Sequence, residues 1–242
     1  MGALETLQEI ISKGKRIVFF GGAGLSTASG IPDFRGDGGL FQQKFGELTP
    51  EMILSTSFFH LHPKAFFEFY REYMIHPDAQ PNPAHRFIAA LEKTGRFRGI
   101  VTQNIDGLHR QAGNRLVYEL HGSIHENYCM DCNRFYDLSK VTSSGGIPRC
   151  DSCGGVVKPY VVLYGEAPDK YTCMGACREI SNADVLIVAG TSLQTQPAAS
   201  FIDYFRGKKL VVINKDATPA DERADLCIHG DVSDILSQLS IG

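Results

Sequence analysis

A short apolar strand, Arg16 to Phe20, runs straight into Gly22-Ala23-Gly24 and on to Gly30-Ile31-Pro32-Asp33-Phe34-Arg35. This order of parts constrains the fold more than any other feature of the chain. Glycines directly after a buried strand permit a tight turn and bring backbone N–H groups close to a pyrophosphate, so the segment predicts a dinucleotide pocket with polar reactive residues attached. The third glycine is Gly30, so the spacing is not G-x-G-x-x-G, and no Gly-Lys-Ser/Thr follows to make a P-loop. Taken alone, the segment reads equally well as a structural turn.

Further short strands are predicted at Gly99–Thr102, Leu116–Leu120, Val161–Leu163, Asp184–Ala189 and Lys209–Asn214, mostly separated by helical stretches. Unbroken apolar runs are expected of strands covered on both faces, so the fold class is α/β with a doubly wound parallel sheet. Two stretches break the alternation: an aromatic-rich helical piece over 41–80 and a cysteine-bearing piece over 124–158. They are expected to form a smaller inserted domain, leaving 1–40, 81–123 and 159–242 as the nucleotide-binding domain. No internal repeat, low-complexity tract or long linker is present.

The net charge of −3 leaves no basic footprint, which disfavours direct nucleic-acid binding. Apolar runs such as Val185 to Gly190 are far too short to span a membrane, and the N-terminus lacks a basic-then-apolar leader, so a cytoplasmic protein is expected. Met1-Gly2 with Thr6 formally fits a myristoylation pattern, but Leu4, Leu7, Ile10 and Ile11 read as one face of an opening helix.

Cys129-x-x-Cys132 and Cys150-x-x-Cys153, 17 residues apart, have the spacing of a four-thiolate zinc site. Four thiolates leave no vacancy for water, so one structural zinc per chain is predicted. The competing readings are disulfides or unligated thiols. Cys173 and Cys177 have no second pair to join and read as helix-borne thiols, with Cys227 a strand residue. His60 and His62 read as surface histidines. His121 stands at the carboxyl end of a predicted strand, where open α/β sheets place ligands. It suits a general base, but taken alone it reads more readily as a hydrogen-bonded core histidine. Gln103, Asn104 and Asp106 follow another strand end, where they could bond ribose hydroxyls and a carboxamide or simply cap a helix.

These segments, together with Leu120-His121-Gly122, Tyr164-Gly165-Glu166 and Gly190-Thr191-Ser192-Leu193, resemble in order the signatures of the sirtuins, NAD-dependent protein deacylases. The likeness covers nearly the whole chain and implies a Rossmann-like domain with a helical and zinc module above it. NAD is implied as co-substrate and acyl-lysine proteins or peptides as partners. By resemblance, His121 is the base that activates a nicotinamide-ribose hydroxyl. Asn104 and Gln103 serve the ribose and its attacking water, and Asp106 and Ile105 grip nicotinamide, with Ala23, Ile31 and Asp33 completing that pocket. Phe34 covers the reactive face and Arg35 holds the phosphate region, while Gly22, Gly24, Ser26, Gly190, Thr191 and Ser192 belong to the cofactor contacts. Asn214 approaches the adenosine ribose and Val232 lies against adenine. Asp231 reads equally as a helix cap.

Val161, Val162, Leu163, Tyr164, Gly165 and Glu166 resemble the loop that receives the peptide as an added strand, with Leu193 to Gln196 opposite. In members that remove succinyl or malonyl groups, the helix over Phe66 to Tyr73 carries Tyr-x-x-Arg. Counting back from Pro81-Asn82-Pro83 places those positions at Phe67 and Tyr70, so no anion partner is expected, and Arg71 is out of register by about 100°. Gly21 and Tyr160 also depart from the pattern. The function implied is deacetylation of protein lysine with release of nicotinamide and O-acetyl-ADP-ribose. The alternatives are a protein mono-ADP-ribosyltransferase and a non-catalytic NAD-sensing zinc-ribbon adaptor.

Overall fold

Alternation along the strands sets the layers. In the computed structural model, which describes residues 2–34, 36, 39–43 and 45–241, helix α1 (Ala3–Lys13) leads into strand β1 (Ile17–Gly21). Ile17 and Phe19 face one apolar core and Val18 and Phe20 another, all fully buried. Period-two alternation between two cores is what a strand covered on both sides requires. Burying a side chain of this size contributes about 1.5–3 kcal/mol, so the central strands hold the domain together.

A helical stretch follows, α2 (Pro50–Ile53), α3 (Thr56–Leu61) and α4 (Pro63–Tyr73). Then come α5 (Pro83–Glu92), β2 (Phe97–Thr102), α6 (Leu108–Gln111) and β3 (Val117–Glu119). Pro83 sits in the first turn of α5, where a missing N–H costs nothing, and the Asn82 side chain accepts from the Ala84 and His85 amides. The cysteine-bearing stretch supplies β4 (Gly122–Cys129), β5 (Phe135–Tyr136), α7 (Ser139–Thr142) and β6 (Val157–Val161). The chain closes with α8 (Lys170–Asn182), β7 (Val185–Ala189), β8 (Lys209–Asn214), β9 (Leu226–His229) and α9 (Val232–Ser237).

Six parallel strands form one sheet in the order β3-β2-β1-β7-β8-β9, with β5-β4-β6 as a separate antiparallel sheet. The order reverses between β1 and β7, and ligands of open α/β sheets bind at such a switch point. Helices α1, α5 and α9 pack on one face, with Leu7 and Ile11 of α1 in that core; α8 and a 3-10 turn at Ala198–Tyr204 pack on the other. A third core joins Leu40, Phe59, Phe66 and Tyr70 to Ile124, Val141, Val161 and Leu163, so the helical stretch and the antiparallel sheet share one interior.

Two sequence expectations need correction. Val161 to Leu163 is not a strand of the parallel sheet: Val161 ends β6, which pairs antiparallel with β4, and Val162 and Leu163 leave it as a loop. β-branched composition alone cannot distinguish the two sheets. The sixth parallel strand, β9, is short, only half buried and carries a cysteine and a histidine, so its apolar signal is weak.

Candidate functional site

The loops after β1 and β7 meet at the switch point. A Cβ on Gly24 would lie 2.7 Å from the Gly190 Cα, and one on Gly22 2.7 Å from the Thr191 Cβ. The contact is backbone on backbone, and only glycine allows it. It is closed by hydrogen bonds: the Gly22 N–H donates to Ala189 (3.2 Å) and the Gly24 N–H to Gly190 (2.8 Å). Gly190 takes φ of 62° there. These two amides therefore brace one loop against the other. The expectation that they would point at a pyrophosphate is replaced by this role, while both residues still line the cleft. Gly21 belongs to the same packing, since a side chain there would meet the Leu25 methyl at 2.3 Å.

From this floor rises a cleft of about 980 Å³, lined by separate segments between Gly22 and Val232. His121 lines it just beyond β3, with Nδ1 2.9 Å from the Gln103 carbonyl oxygen. A carbonyl can only accept, so Nδ1 carries the proton and Nε2 keeps its lone pair. Burial lowers the His121 pKa below the ordinary histidine value, against the opposing pull of the Gln103 carbonyl. The ring is thus a neutral base. Gly122, at φ of 77°, turns the chain immediately afterwards, and a Cβ there would strike the Tyr160 carbonyl oxygen. That turn lets β4 pair with β6 while His121 stays at the sheet end. Tyr160 itself is exposed and packs edge-on against Tyr128.

Asn104 lines the cleft with both amide hydrogens committed behind it, to the Gly22 carbonyl (3.1 Å) and the Ser26 hydroxyl (3.0 Å). It therefore offers the cleft an acceptor. Ser26 in turn donates to Asp106 (2.6 Å), whose other oxygen accepts from the Leu108 N–H. Ser26, expected as a direct cofactor contact, is buried behind Asn104 and holds it in place, with the half-buried Asp106 accepting from the Ser26 hydroxyl. Which member of such a chain faces the ligand is invisible in sequence. Gln103 and Ile105 do line the cleft, and the Gln103 amide is fixed on Thr191 Oγ1 (2.9 Å).

Ala23, Ile31, Asp33 and Phe34 all line the cleft. The Asp33 carboxylate accepts from the Gly36 N–H (2.8 Å), and Phe34 packs on Phe41 at 5.2 Å. Arg35 lies outside the described residues. At the far end Thr191, Ser192, Asn214 and Val232 line the floor, and Asp231 caps α9 by accepting from the Ser233 and Asp234 amides. Lys215, missed in the sequence, also lines this end and pairs with Asp231 at 3.4 Å. Its position one residue beyond Asn214, at a strand's carboxyl end, was the available signal.

Val161, Val162, Leu163, Tyr164, Gly165 and Glu166 border the opposite side. The loop is tied down: Val162 donates to the His121 carbonyl, Tyr164 pairs with Leu54 and Thr56, and the Glu166 carboxylate accepts from Leu163 and Lys158. Glu166 thus braces the loop. Gln194, Thr195, Gln196 and Pro197 also line the cleft, whereas Leu193 is buried in the core, with its N–H on Thr191 Oγ1 (3.2 Å). Of the two positions expected on the acyl side, Tyr70 forms part of the cleft wall and Phe67 does not. Phe67 packs edge-on against Phe59 and Phe66 instead. Leu54, Phe41 and Met74, the last one helical turn beyond Tyr70, also line the cleft. Arg71 turns away, donating to the Gly146 carbonyl with its guanidinium over the Phe67 ring.

The four sulfurs of Cys129, Cys132, Cys150 and Cys153 lie within 4.8 Å of one another, the pairs Cys129–Cys153 and Cys132–Cys150 at 3.4 and 3.6 Å. Tetrahedral thiolates at a Zn–S distance of about 2.3 Å stand about 3.8 Å apart, so the donor set and its spacing fit a zinc ion. The Tyr136 hydroxyl and the Ser152 N–H both donate to the Cys150 sulfur, which steadies that ligand.

Residues 22–197 match the model of the Sir2 family. An NAD-dependent protein deacetylase of Clostridium perfringens is 52% identical over 238 residues, covering 98% of both chains. A solved structure of Sir2 with a deacetylated p53 peptide and 3′-O-acetyl-ADP-ribose is 35% identical with a TM-score of 0.88, covering 96% of this chain and 95% of that one. A Sir2 homologue in complex with NAD is 37% identical with a TM-score of 0.86, covering 97% and 91%.

Proposed function

The chain belongs to the Sir2 family and is an NAD-dependent protein deacetylase, and we propose that His121 is its general base, working between an NAD floor and a peptide wall. The observation that carries this assignment is the tautomer: Nδ1 is anchored on the Gln103 carbonyl, so Nε2 is the basic nitrogen of a ring that burial keeps neutral. A neutral imidazole held on the cleft wall can take a proton from a ribose hydroxyl as that hydroxyl attacks the acyl carbon.

The other residues divide by position. Asn104, held from behind by Ser26 and Gly22, presents an acceptor that orients a ribose hydroxyl or the attacking water. Gln103 positions both His121 and Thr191. Ala23, Ile31, Asp33 and Phe34 form the nicotinamide side, Thr191, Ser192, Asn214, Lys215 and Val232 the phosphate and adenosine side, and Val161 to Gly165 the peptide side. Zinc held by Cys129, Cys132, Cys150 and Cys153 would supply no chemistry, because four thiolates leave no place for water; it would pin the turns next to β4 and β6. We divide the chain into a nucleotide-binding domain (1–40, 81–123, 159–242) and a small domain (41–80, 124–158), a reading supported by the two cores on the parallel sheet and departed from at the borders, where Leu40, Val161 and Leu163 pack in the third core. We place the protein in the cytoplasm, a reading supported by cysteines clustered as metal ligands rather than paired as disulfides.

The test is product analysis by mass spectrometry with purified protein, NAD and an acetyl-lysine peptide. Release of nicotinamide, free lysine and O-acetyl-ADP-ribose is expected. ADP-ribosylated protein without deacetylated peptide would instead make the chain a transferase of ADP-ribose.

A further inference from the structure

The small sheet carries three aromatic rings in contact. Phe135 of β5 and Tyr128 of β4 stand directly opposite each other, ring centroids 5.6 Å apart, and Tyr160 of β6 meets Tyr128 edge-on at 5.7 Å and 75°. The first pair is an ordinary cross-strand contact that stabilises an antiparallel ribbon. Tyr160 is different: its partner across the strands is Ser123, so it reaches Tyr128 diagonally, and it stays 45% exposed beside Phe135 at 54%. Single exposed aromatics are common, but three in contact form a patch.

Two carboxylates act on this patch. Glu126 accepts from the Tyr128 hydroxyl at 3.4 Å. Burial raises the Tyr160 pKa, and Asp169 and Glu126 add to the effect, so both charges lie within electrostatic reach of that ring. Among the described residues neither carboxylate is in an ion pair. Lys158, across the strands from Tyr128, turns instead to Glu166 at 3.1 Å and to the Pro159 and Val161 carbonyls. Tyr160 immediately precedes Val161, and Asp169 immediately follows Pro168; Val161 to Glu166 and Pro168 line the cleft. The patch is thus joined in the chain to both ends of that lining segment.

We propose that Tyr128, Tyr160, Glu126 and Asp169 receive a lysine or arginine side chain of the protein substrate, so that acetyl-lysines in basic segments are the favoured targets. The inference rests on the reading of Val161 to Gly165 as the peptide side. An aromatic face attracts a cation through its quadrupole, and an unpaired carboxylate beside it attracts the same sign of charge. An acidic segment would be repelled. None of these four groups lines the cleft, so the contact acts on binding and leaves the reaction unchanged.

The experiment measures kcat and KM for acetyl-lysine peptides that differ only in carrying lysine or uncharged norleucine at the flanking positions. Wild type is compared with Tyr160→Ser and with the double variant Glu126→Gln, Asp169→Asn, in which asparagine still caps α8, all checked for thermal unfolding. Wild type should favour the lysine peptide by about fivefold, in KM and not in kcat, and the preference should shrink in about 1 M salt. Both variants should bring the ratio within about twofold. Equal KM for the two peptides in wild type overturns the proposal, and so does a fivefold preference that survives in both variants. A peptide with a diazirine-bearing lysine at the flanking position, cross-linked and mapped by mass spectrometry, separates this inference from the reading beneath it. Cross-links at Tyr128 or Tyr160 are expected. Cross-links confined to residues 161–168 overturn the cation site alone, and cross-links at neither place overturn the peptide side with it.

Discussion

The Gln103 carbonyl fixes which nitrogen of His121 is basic, and the pH dependence follows from it. Burial lowers the His121 pKa below 6.5, so the base form is complete at neutral pH and is lost as pH falls through the lowered value. The acid limb of kcat/KM should therefore lie below pH 6.5, and an acid limb centred above 7 would count against His121. His121→Ala should cost about 10²- to 10⁴-fold in rate while zinc content is retained. Acyl charge is the second matter settled by single residues. Among the described residues the cation on the cleft wall is Lys215, at the adenosine end and paired with Asp231, while Arg71 faces the Gly146 carbonyl. A succinyl carboxylate would be buried without a counter-charge, so acetyl-lysine should exceed succinyl-lysine by at least about a hundredfold in kcat/KM. Equal rates on the two peptides would mean that a cation reaches the acyl group. His121, Asn104 and Tyr70 were legible because chain order puts them at strand ends or at a countable helix register. The burial of Ser26, Leu193 and Phe67 was not, because it depends on side-chain direction across elements.

Between α5 and α6 two histidines face each other in the interior. His85 and His109 have ring centroids 4.7 Å apart, His85 accepts from the Asn82 N–H through Nδ1, and neither nitrogen of His109 has a partner. Burial lowers the His85 pKa to about 4, Asp106 opposing and Arg86 assisting, and lowers that of His109 well below the ordinary value, with His85 adding to the effect. Both are neutral in the folded protein, and the unfolded chain takes up protons first. Stability is therefore complete above about pH 6.5 and declines as pH falls toward 4, by up to about 1.4 kcal/mol per pH unit for each histidine. Denaturant unfolding at pH 7.5 and 5.0 with excess zinc should show this loss, and His109→Gln should reduce the slope. Parallel slopes in the two proteins would remove His109 from the account. At this scale the sequence was legible where period and caps agree, as in β8, whose expected bounds the structure reproduces. It failed at Val161 to Leu163, because the same apolar letters serve a parallel strand, an antiparallel end or a loop tethered by Glu166.

The two sheets divide the work of the whole molecule. The floor of the cleft, proposed to take the nucleotide, is built from the ends of β1, β7 and β8, while the wall proposed to take the peptide hangs from β6, next to the four cysteines. Cys150→Ala should lose the metal and loosen the small sheet while leaving NAD affinity within about threefold. KM for the acetyl peptide should rise sharply. A zinc-free protein with unchanged peptide kinetics would show that the wall stands without the metal. The contact between Gly24 and Gly190 has a further consequence, for protein engineering. The loops after β1 and β7 meet at Gly24 and Gly190 with no side chain between them, so neither can be transplanted from a relative by itself. A chimera that replaces one must replace both, and an attempt to change the nucleotide this scaffold accepts by shuffling single loops would fail in most combinations for reasons unrelated to nucleotide chemistry.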